Sequence, residues 1–497
     1  MLVDRGANIS VEDEDGQTPL NLALSKGHVD VVQILMERST DVLTQTKDRW
    51  TLLHSVSSQG YVDVVQMLIE HGTDMSAQAQ DGWTPLHLAL FKGHVAVAQM
   101  LMECSADVSA QVKDGWTPLH LALFKGHVDV ALCTNVSSQV KDGWTPLHLA
   151  SSQGHMNVVR MLIVHHAKVS SQAKDGWTPL HLASSQGRID VVQILVEHNA
   201  RVSAQDKDGY TPLHLASGQG HIDVARMLVD CKANVSARAK DWWTTLHSAS
   251  SQGHVDVARL LMRQRHSADE SAQDKAGRTP LHLASSQGHV DVAWMLVGWG
   301  ADVAAQDEDG WTPLHLASSQ GHMDVVQMLM ECDAGVSAQA NDGWTLLHSA
   351  SSKGHVDVAQ VLVEGGADVS AQDKERCTLL HLASSQGHLD VVQMLMECSA
   401  NVSAQAKDGW TPLHSASSQG HVDAARMLVE RSANVSSQDK DGWTPLHQAL
   451  DKGHVDVAWM LLGHGADVSA QAEDGRTLLQ LVSRNGRVDV DARGVRC

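Results

Sequence analysis

No run of about 18 apolar residues occurs, so no stretch reads as a transmembrane helix. The start, Met1-Leu2-Val3-Asp4-Arg5, lacks the basic opening and apolar core of a secretory signal. Positive charge is short: 37 Lys and Arg face 58 Asp and Glu, a net charge of −21. An acidic chain repels phosphate backbones and anionic membranes, so the expected partner is a protein, basic or extended, rather than nucleic acid. Cysteine is scarce at seven. Cys104, Cys231, Cys332 and Cys398 each lie 20 residues after a recurring threonine, so they occupy one place in separate copies of a segment and stand too far apart to bridge. The reading is a reducing compartment, the cytosol with the nucleus as alternative. Gly-rich phosphate loops, a nucleophile elbow and zinc-protease motifs are all missing. No catalytic residue, cofactor or metal ligand is therefore expected, and the chain does not read as an enzyme.

What is present is repetition. The recurring threonine falls fifteen times between Thr18 and Thr477, and twelve of the fourteen spacings are 33 residues. All ten prolines follow it directly, as at Pro85, Pro118 and Pro313. Threonine caps a helix N-terminus and proline suits the first helical position, so a short first helix is expected at Pro85-Leu86-His87-Leu88-Ala89-Leu90, with Leu86, Ala89 and Leu90 on one face. Nine residues after every threonine stands a glycine, fit for a left-handed helix C-terminus. A second helix is expected next, as in His322 to Met330, with Met323, Val326, Leu329 and Met330 as its buried stripe. Then comes a turn such as Lys407-Asp408-Gly409-Trp410, whose Asp-Gly is a hairpin signal. Such a unit cannot bury its apolar face alone, so neighbours must stack.

These motifs, Asp-Gly-Trp-Thr-Pro-Leu-His-Leu-Ala, then Gly-His-Val-Asp-Val-Val, then Ala-Asp-Val-Ser-Ala-Gln-Asp, resemble the ankyrin repeat along nearly the whole chain. The resemblance implies an all-α repeat solenoid of ankyrin-type helix-turn-helix units with β-hairpin loops, binding along hairpin tips and a concave helix face. About thirty short helices are expected. Serine regularly replaces the family's second alanine of the first helix, as at Ser184, and its asparagine before the hairpin, as at Ser203.

Residues 1–17 read as the truncated end of a preceding repeat, so the chain reads as a piece of a longer protein. Residues 18–476 hold fourteen units, with a short one at 117–144 and a long one at 244–278. Residues 477–497 read as a degenerate C-terminal cap, with Gln480 in place of histidine and Arg484, Arg487, Arg493 and Arg496. The short unit lacks more than one helical turn, which cuts its second helix and makes Val128 to Val140 a weak joint. The long unit carries a basic spot, Arg263-Gln264-Arg265-His266, either a longer loop or a docking bump. Arg49, Trp242 and Arg376 replace the turn glycine, and each stores about 1 kcal/mol or more if the turn keeps positive φ.

Of 31 histidines, thirteen belong to the Thr-x-Leu-His motif and twelve follow the helix-1 glycine. The resemblance implies that the motif histidines serve backbone hydrogen bonds between units. His165-His166, the one local pair, lacks a third ligand. Ten of fourteen tryptophans precede the repeat threonine. Three readings stay open. One tryptophan was copied by duplication; or each ring covers its own hairpin; or Trp83, Trp116, Trp144, Trp177, Tyr210, Trp243, Trp311, Trp344, Trp410 and Trp443 form a partner-binding ladder. Successive rings are expected roughly 10 Å apart, one helix layer, too far to stack on one another. Flanking Lys-Asp pairs such as Lys113-Asp114 would rim each ring. The functional expectation is a protein-binding scaffold or recruitment module, with a regulatory region of a larger signalling protein or enzyme as the alternative.

Overall fold

The computed structural model describes residues 7–11, 18–38, 48–127, 136–263, 268–473 and 475–485. The expected shortened helix at 128–134, the basic spot at 264–266, and the terminal segments 1–6 and 486–497 lie outside them. The chain divides into two compact bodies, Met1–Lys240 and Asp241–Cys497, each a stack of helix pairs.

The described residues hold 28 short helices, against about thirty expected. One repeat shows how they arise. Thr84 has extended backbone, and its Oγ1 accepts the His87 backbone N–H at 3.4 Å while Pro85 opens the helix. The helix runs Pro85–Lys92 and ends at Gly93, φ 82°, whose N–H returns to the Ala89 carbonyl. The second helix, Val95–Glu103, follows at once. Leu86, Ala89, Leu90, Val97, Ala98 and Leu101 are fully or nearly fully buried. In each body, first helices pack on first helices of neighbouring repeats, and second helices on second helices.

The second-helix stripe differs from expectation. In Met323–Glu331 the buried side chains are Val325, Val326, Met328 and Leu329, while Met323 and Met330 are half-buried. The helix is rolled so that the Val-Val pair, rather than the flanking methionines, faces the first helices. The hairpins are also reduced. Among the described residues no strand forms, and only isolated bridges such as Gln339 to Thr345 remain. Each connection is a tight turn: Ala79 N–H bonds the Trp83 carbonyl at 2.8 Å and Gly82 N–H bonds the Ala79 carbonyl at 2.9 Å. Successive turns are joined by one backbone bond each. Lys113 donates to Asp81, Lys141 to Asp114, Lys174 to Asp142 and Lys207 to Asp175, at 2.8–3.1 Å.

The turn does keep positive φ where glycine is missing: 62° at Arg49, 61° at Trp242 and 59° at Arg376. Space is tight there too. A Cβ on the equivalent Gly409 would lie 2.9 Å from the Lys440 nitrogen of the next repeat. Arg376→Gly is therefore expected to raise stability by about 1 kcal/mol. Urea melts would show this as a higher midpoint with unchanged slope. A lower midpoint would mean that the arginine side chain contributes more than its backbone costs.

Candidate partner-binding edge

The turn tryptophan is held from three sides by its own repeat and its neighbour. Its backbone N–H is taken by a turn carboxylate, as Asp175 Oδ1 takes that of Trp177 at 2.9 Å. Its carbonyl accepts from the motif histidine of the preceding repeat. His54 Nε2 reaches the Trp83 oxygen at 3.0 Å, His148 reaches Trp177 at 3.1 Å and His414 reaches Trp443 at 3.0 Å. His181 does the same to Tyr210 at 3.1 Å. At His315 the buried Nε2 faces the Trp344 carbonyl in the same way but in a poorer geometry. The ring itself packs against the histidine of its own repeat, near parallel at Trp144 and Trp410 and edge-on at Trp116 and Tyr210. Centroid separations run from 5.5 Å at Trp243–His247 to 6.3 Å at Trp144–His148.

The histidine geometry sets its protonation. Nδ1 accepts the backbone N–H of the repeat threonine. His120 takes that of Thr117 at 3.3 Å, and His148 takes that of Thr145 at 3.1 Å. Nδ1 is therefore bare, and Nε2 carries the hydrogen donated to the next turn. Burial in a desolvated stack pulls His87, His120, His148 and His315 down from 6.5 to about 4. His54, His181, His282, His348, His381 and His414 are lowered for the same reason. The bond to the turn carbonyl opposes this only in part.

The second histidine set also bonds across repeats. His94 Nε2 reaches the Ser58 carbonyl at 3.1 Å, and His421 reaches Ser385 at 3.1 Å. The ring lies on the preceding repeat's helix-ending glycine. A Cβ on Gly60 would stand 2.5 Å from His94 Nδ1, so glycine serves both the left-handed cap and this close approach. The interlocked histidines match the between-unit role that the resemblance implied. His165 and His166 end a second helix, with His166 in the left-handed slot at φ 64°. Among the described residues no group of three histidine, cysteine or carboxylate side chains is placed to share a metal.

All ten aromatic residues expected to form the ladder are half-buried, as is Trp50. Each of the ten rings contacts the histidine of its own repeat and stays partly accessible. The expected wide spacing fails at one point: Trp311 and Trp344 lie 6.5 Å apart and 28° from parallel, near enough to stack. The rim differs in partner. Lys141 pairs with Asp114 at 3.2 Å, Lys240 with Asp208 at 3.7 Å and Lys407 with Glu375 at 3.2 Å, each time with the preceding repeat rather than the adjacent residue. The backbone bond between successive turns sets that register.

Several exposed aromatics escaped sequence reasoning. The chain's two phenylalanines stand edge-on to ladder rings, Phe91 on Trp83 and Phe124 on Trp116, both at 5.4 Å. Lys125 Nζ lies 4.4 Å from the Phe91 centroid. Trp242, Trp294, Trp299 and Trp459 are the most exposed tryptophans, 45–54%. They are the four outside the ladder slot, and that was the available signal. Cys104, Cys231, Cys332, Cys377 and Cys398 are free thiols. Burial raises the Cys377 thiol to about 11, so it is held protonated at neutral pH.

Fold and interlocking side chains together define a tandem helical-repeat protein. A family model described as ankyrin repeats in three copies matches overlapping windows from residues 1–79 to residues 380–472. The chain belongs to the ankyrin repeat family, whose members are generally protein-interaction modules. No curated protein matches it in sequence. Among the described residues no helix is long and apolar enough to cross a membrane.

Proposed function

We propose that this chain is a protein-binding scaffold or recruitment module that grips its partner along the aromatic ladder, without catalytic chemistry of its own. One observation carries the reading. The same slot presents a half-buried aromatic ring in repeat after repeat, its backbone pinned by hydrogen bonds and its ring packed against a buried histidine. Rings held in one orientation bind without losing rotamer freedom, and tryptophan dominates interface energetics. The net charge of −21 favours a basic or extended partner. The free thiols fit a reducing compartment, the cytosol or nucleus.

Replacing Trp116, Trp144 and Trp177 by alanine is expected to weaken binding of a partner isolated by pull-down at least about a hundredfold. Far-ultraviolet circular dichroism should be unchanged, since the motif histidine keeps its cap and the Trp carbonyl remains. Binding that persists while the melting temperature falls would make the rings covers for the histidines and nothing more.

A further inference from the structure

Several second helices close their outer side with a hydrogen-bonded pair. The fifth residue of these helices is glutamine in seven repeats, and the ninth is Glu or Asp in nine. Gln66 Nε2 donates to Glu70 Oε1 at 3.2 Å, and Gln193–Glu197, Gln360–Glu364 and Gln393–Glu397 repeat the bond at 2.9–3.1 Å. Four helices replace both members at once, one with Arg160 and Val164, one with Arg259 and Arg263, and two with tryptophan and glycine. Val290–Gly298 carries Trp294 and Gly298, and Val455–Gly463 carries Trp459 and Gly463.

The stack does not require this exchange. Seven repeats fold with glutamine where Trp294 stands. Gly298 is outside the positive-φ region, and a Cβ there would meet nothing within 4 Å. Glycine is the poorest helix former after proline, so it weakens the helix without a steric reason. Its effect is to clear space and to remove a carboxylate beside the indole.

The cleared space is an open groove of about 650 Å³ between helix Val255–Arg263 and helix Val290–Gly298. Trp294 and Trp299, 46% and 45% exposed, line it together with Arg259 and Arg263. Arg263 itself occupies the ninth position, where nine repeats have an acid. Relative to a pair of Gln–Glu repeats the groove has lost two carboxylates, at positions 263 and 298, and gained two cations, Arg259 and Arg263. Among the described residues no carboxylate lies within 4 Å of either guanidinium. Asp291 also lines the groove, but a first-turn aspartate is shared by most second helices, where it complements the helix dipole.

We propose that this groove docks an acidic segment of a partner protein that also carries an aromatic or aliphatic side chain. The partner's carboxylates meet Arg259 and Arg263, and its apolar side chain lies on Trp294 and Trp299. Elsewhere the acidic surface repels such a segment, which confines it to the place where the carboxylates are gone. The matching groove lined by Arg426, Trp459 and Gly463 keeps Glu430 at the ninth position, and its Arg426 lies 3.7 Å from Asp423. It is the weaker site of the two.

The test uses the full chain and a short fluorescein-labelled peptide alternating Glu with Leu and Phe, read by fluorescence anisotropy. Its counterpart with Lys in place of Glu is the control. The Glu peptide should bind, and more weakly as salt rises. The double variant W294Q/G298E restores the pair that other repeats use, so it should fold at least as stably while losing about tenfold or more in affinity. R259Q/R263E should lose as much, and W459Q/G463E less. The ladder triple variant should leave this binding unchanged, which keeps the two surfaces experimentally separate. The proposal is overturned if the Glu peptide does not bind, if W294Q/G298E binds it as the parent does, or if the Lys peptide binds equally well. Self-association of the chain that W294Q/G298E abolishes would also overturn it, by assigning the groove to a second copy.

Discussion

Lowering the pH from 7 to 5 is expected to unfold the array at denaturant concentrations, or temperatures, that it withstands at neutrality. The motif histidines are buried as neutral rings, with His87, His120, His148 and His315 lowered from 6.5 to about 4. Between those values the unfolded chain binds more protons than the folded one, so stability rises with pH there. The contribution is complete above about 6.5 and is lost as pH falls through the window to about 4. At pH 5 each such histidine has cost about 2 kcal/mol. His87, His120 and His148 lie in successive repeats, so their losses fall on one stretch and sum to about 6 kcal/mol, comparable to the whole stability of a typical domain. Protonation also places a hydrogen on Nδ1, where the threonine N–H already points. Urea midpoints at pH 7, 6 and 5 would check this. Gln480 supplies the control: in the last repeat its Oε1 accepts the Thr477 N–H at 3.0 Å, as Nδ1 does elsewhere. Replacing His87, His120 and His148 by glutamine should cost stability at pH 7, through the lost bonds to the next turns, and flatten the pH dependence. An unchanged slope of stability with pH in that variant would locate the acid sensitivity elsewhere.

Removing buried hydroxyls should have the opposite effect. Ser57, Ser151, Ser184, Ser217, Ser250, Ser285, Ser351, Ser384 and Ser417 occupy one position in the first helix, each with a buried Oγ and no hydrogen-bond partner. Leaving a hydroxyl unsatisfied costs about 1 kcal/mol or more, and alanine is the better helix former by a few tenths. Replacing Ser351, Ser384 and Ser417 together by alanine should raise stability by about 3 kcal/mol. Ser318 is the internal comparison, because its hydroxyl donates to the Leu314 carbonyl at 2.7 Å. Ser318→Ala should change little. Equal effects at all four sites, measured by denaturant melts, would show that the other hydroxyls find the same carbonyl in solution.

Much of this was legible because it is written in short-range terms. Thr84 and Pro85 start a helix, Gly93 ends it and Asp-Gly makes the turn, all through residues close in sequence. Other features were legible only in part. The serine substitution at Ser184 was visible, but not that its hydroxyl is stranded, since that depends on what packs against it. The stripe on Met323–Glu331 was displaced toward Val325 because two faces of a short apolar helix satisfy the same periodicity. The expected hairpins became single turns, because each turn spends its backbone groups on the neighbouring turn instead of on strands.

By itself the sequence determined the repeat, its caps and turns, and the choice of family. Each of these rests on backbone conformations set by neighbours a few residues away. Only the tertiary structure decided how the side chains are used. His148 reaches a carbonyl 29 residues on, and His94 reaches one 36 residues back. Trp311 and Trp344, one repeat apart, close to 6.5 Å. Trp294 and Arg263 meet across one groove because two second helices are laid side by side. Such contacts depend on stacking register, which no single repeat contains: the same Trp-Thr-Pro-Leu-His can cover, cap or bind according to what lies next to it.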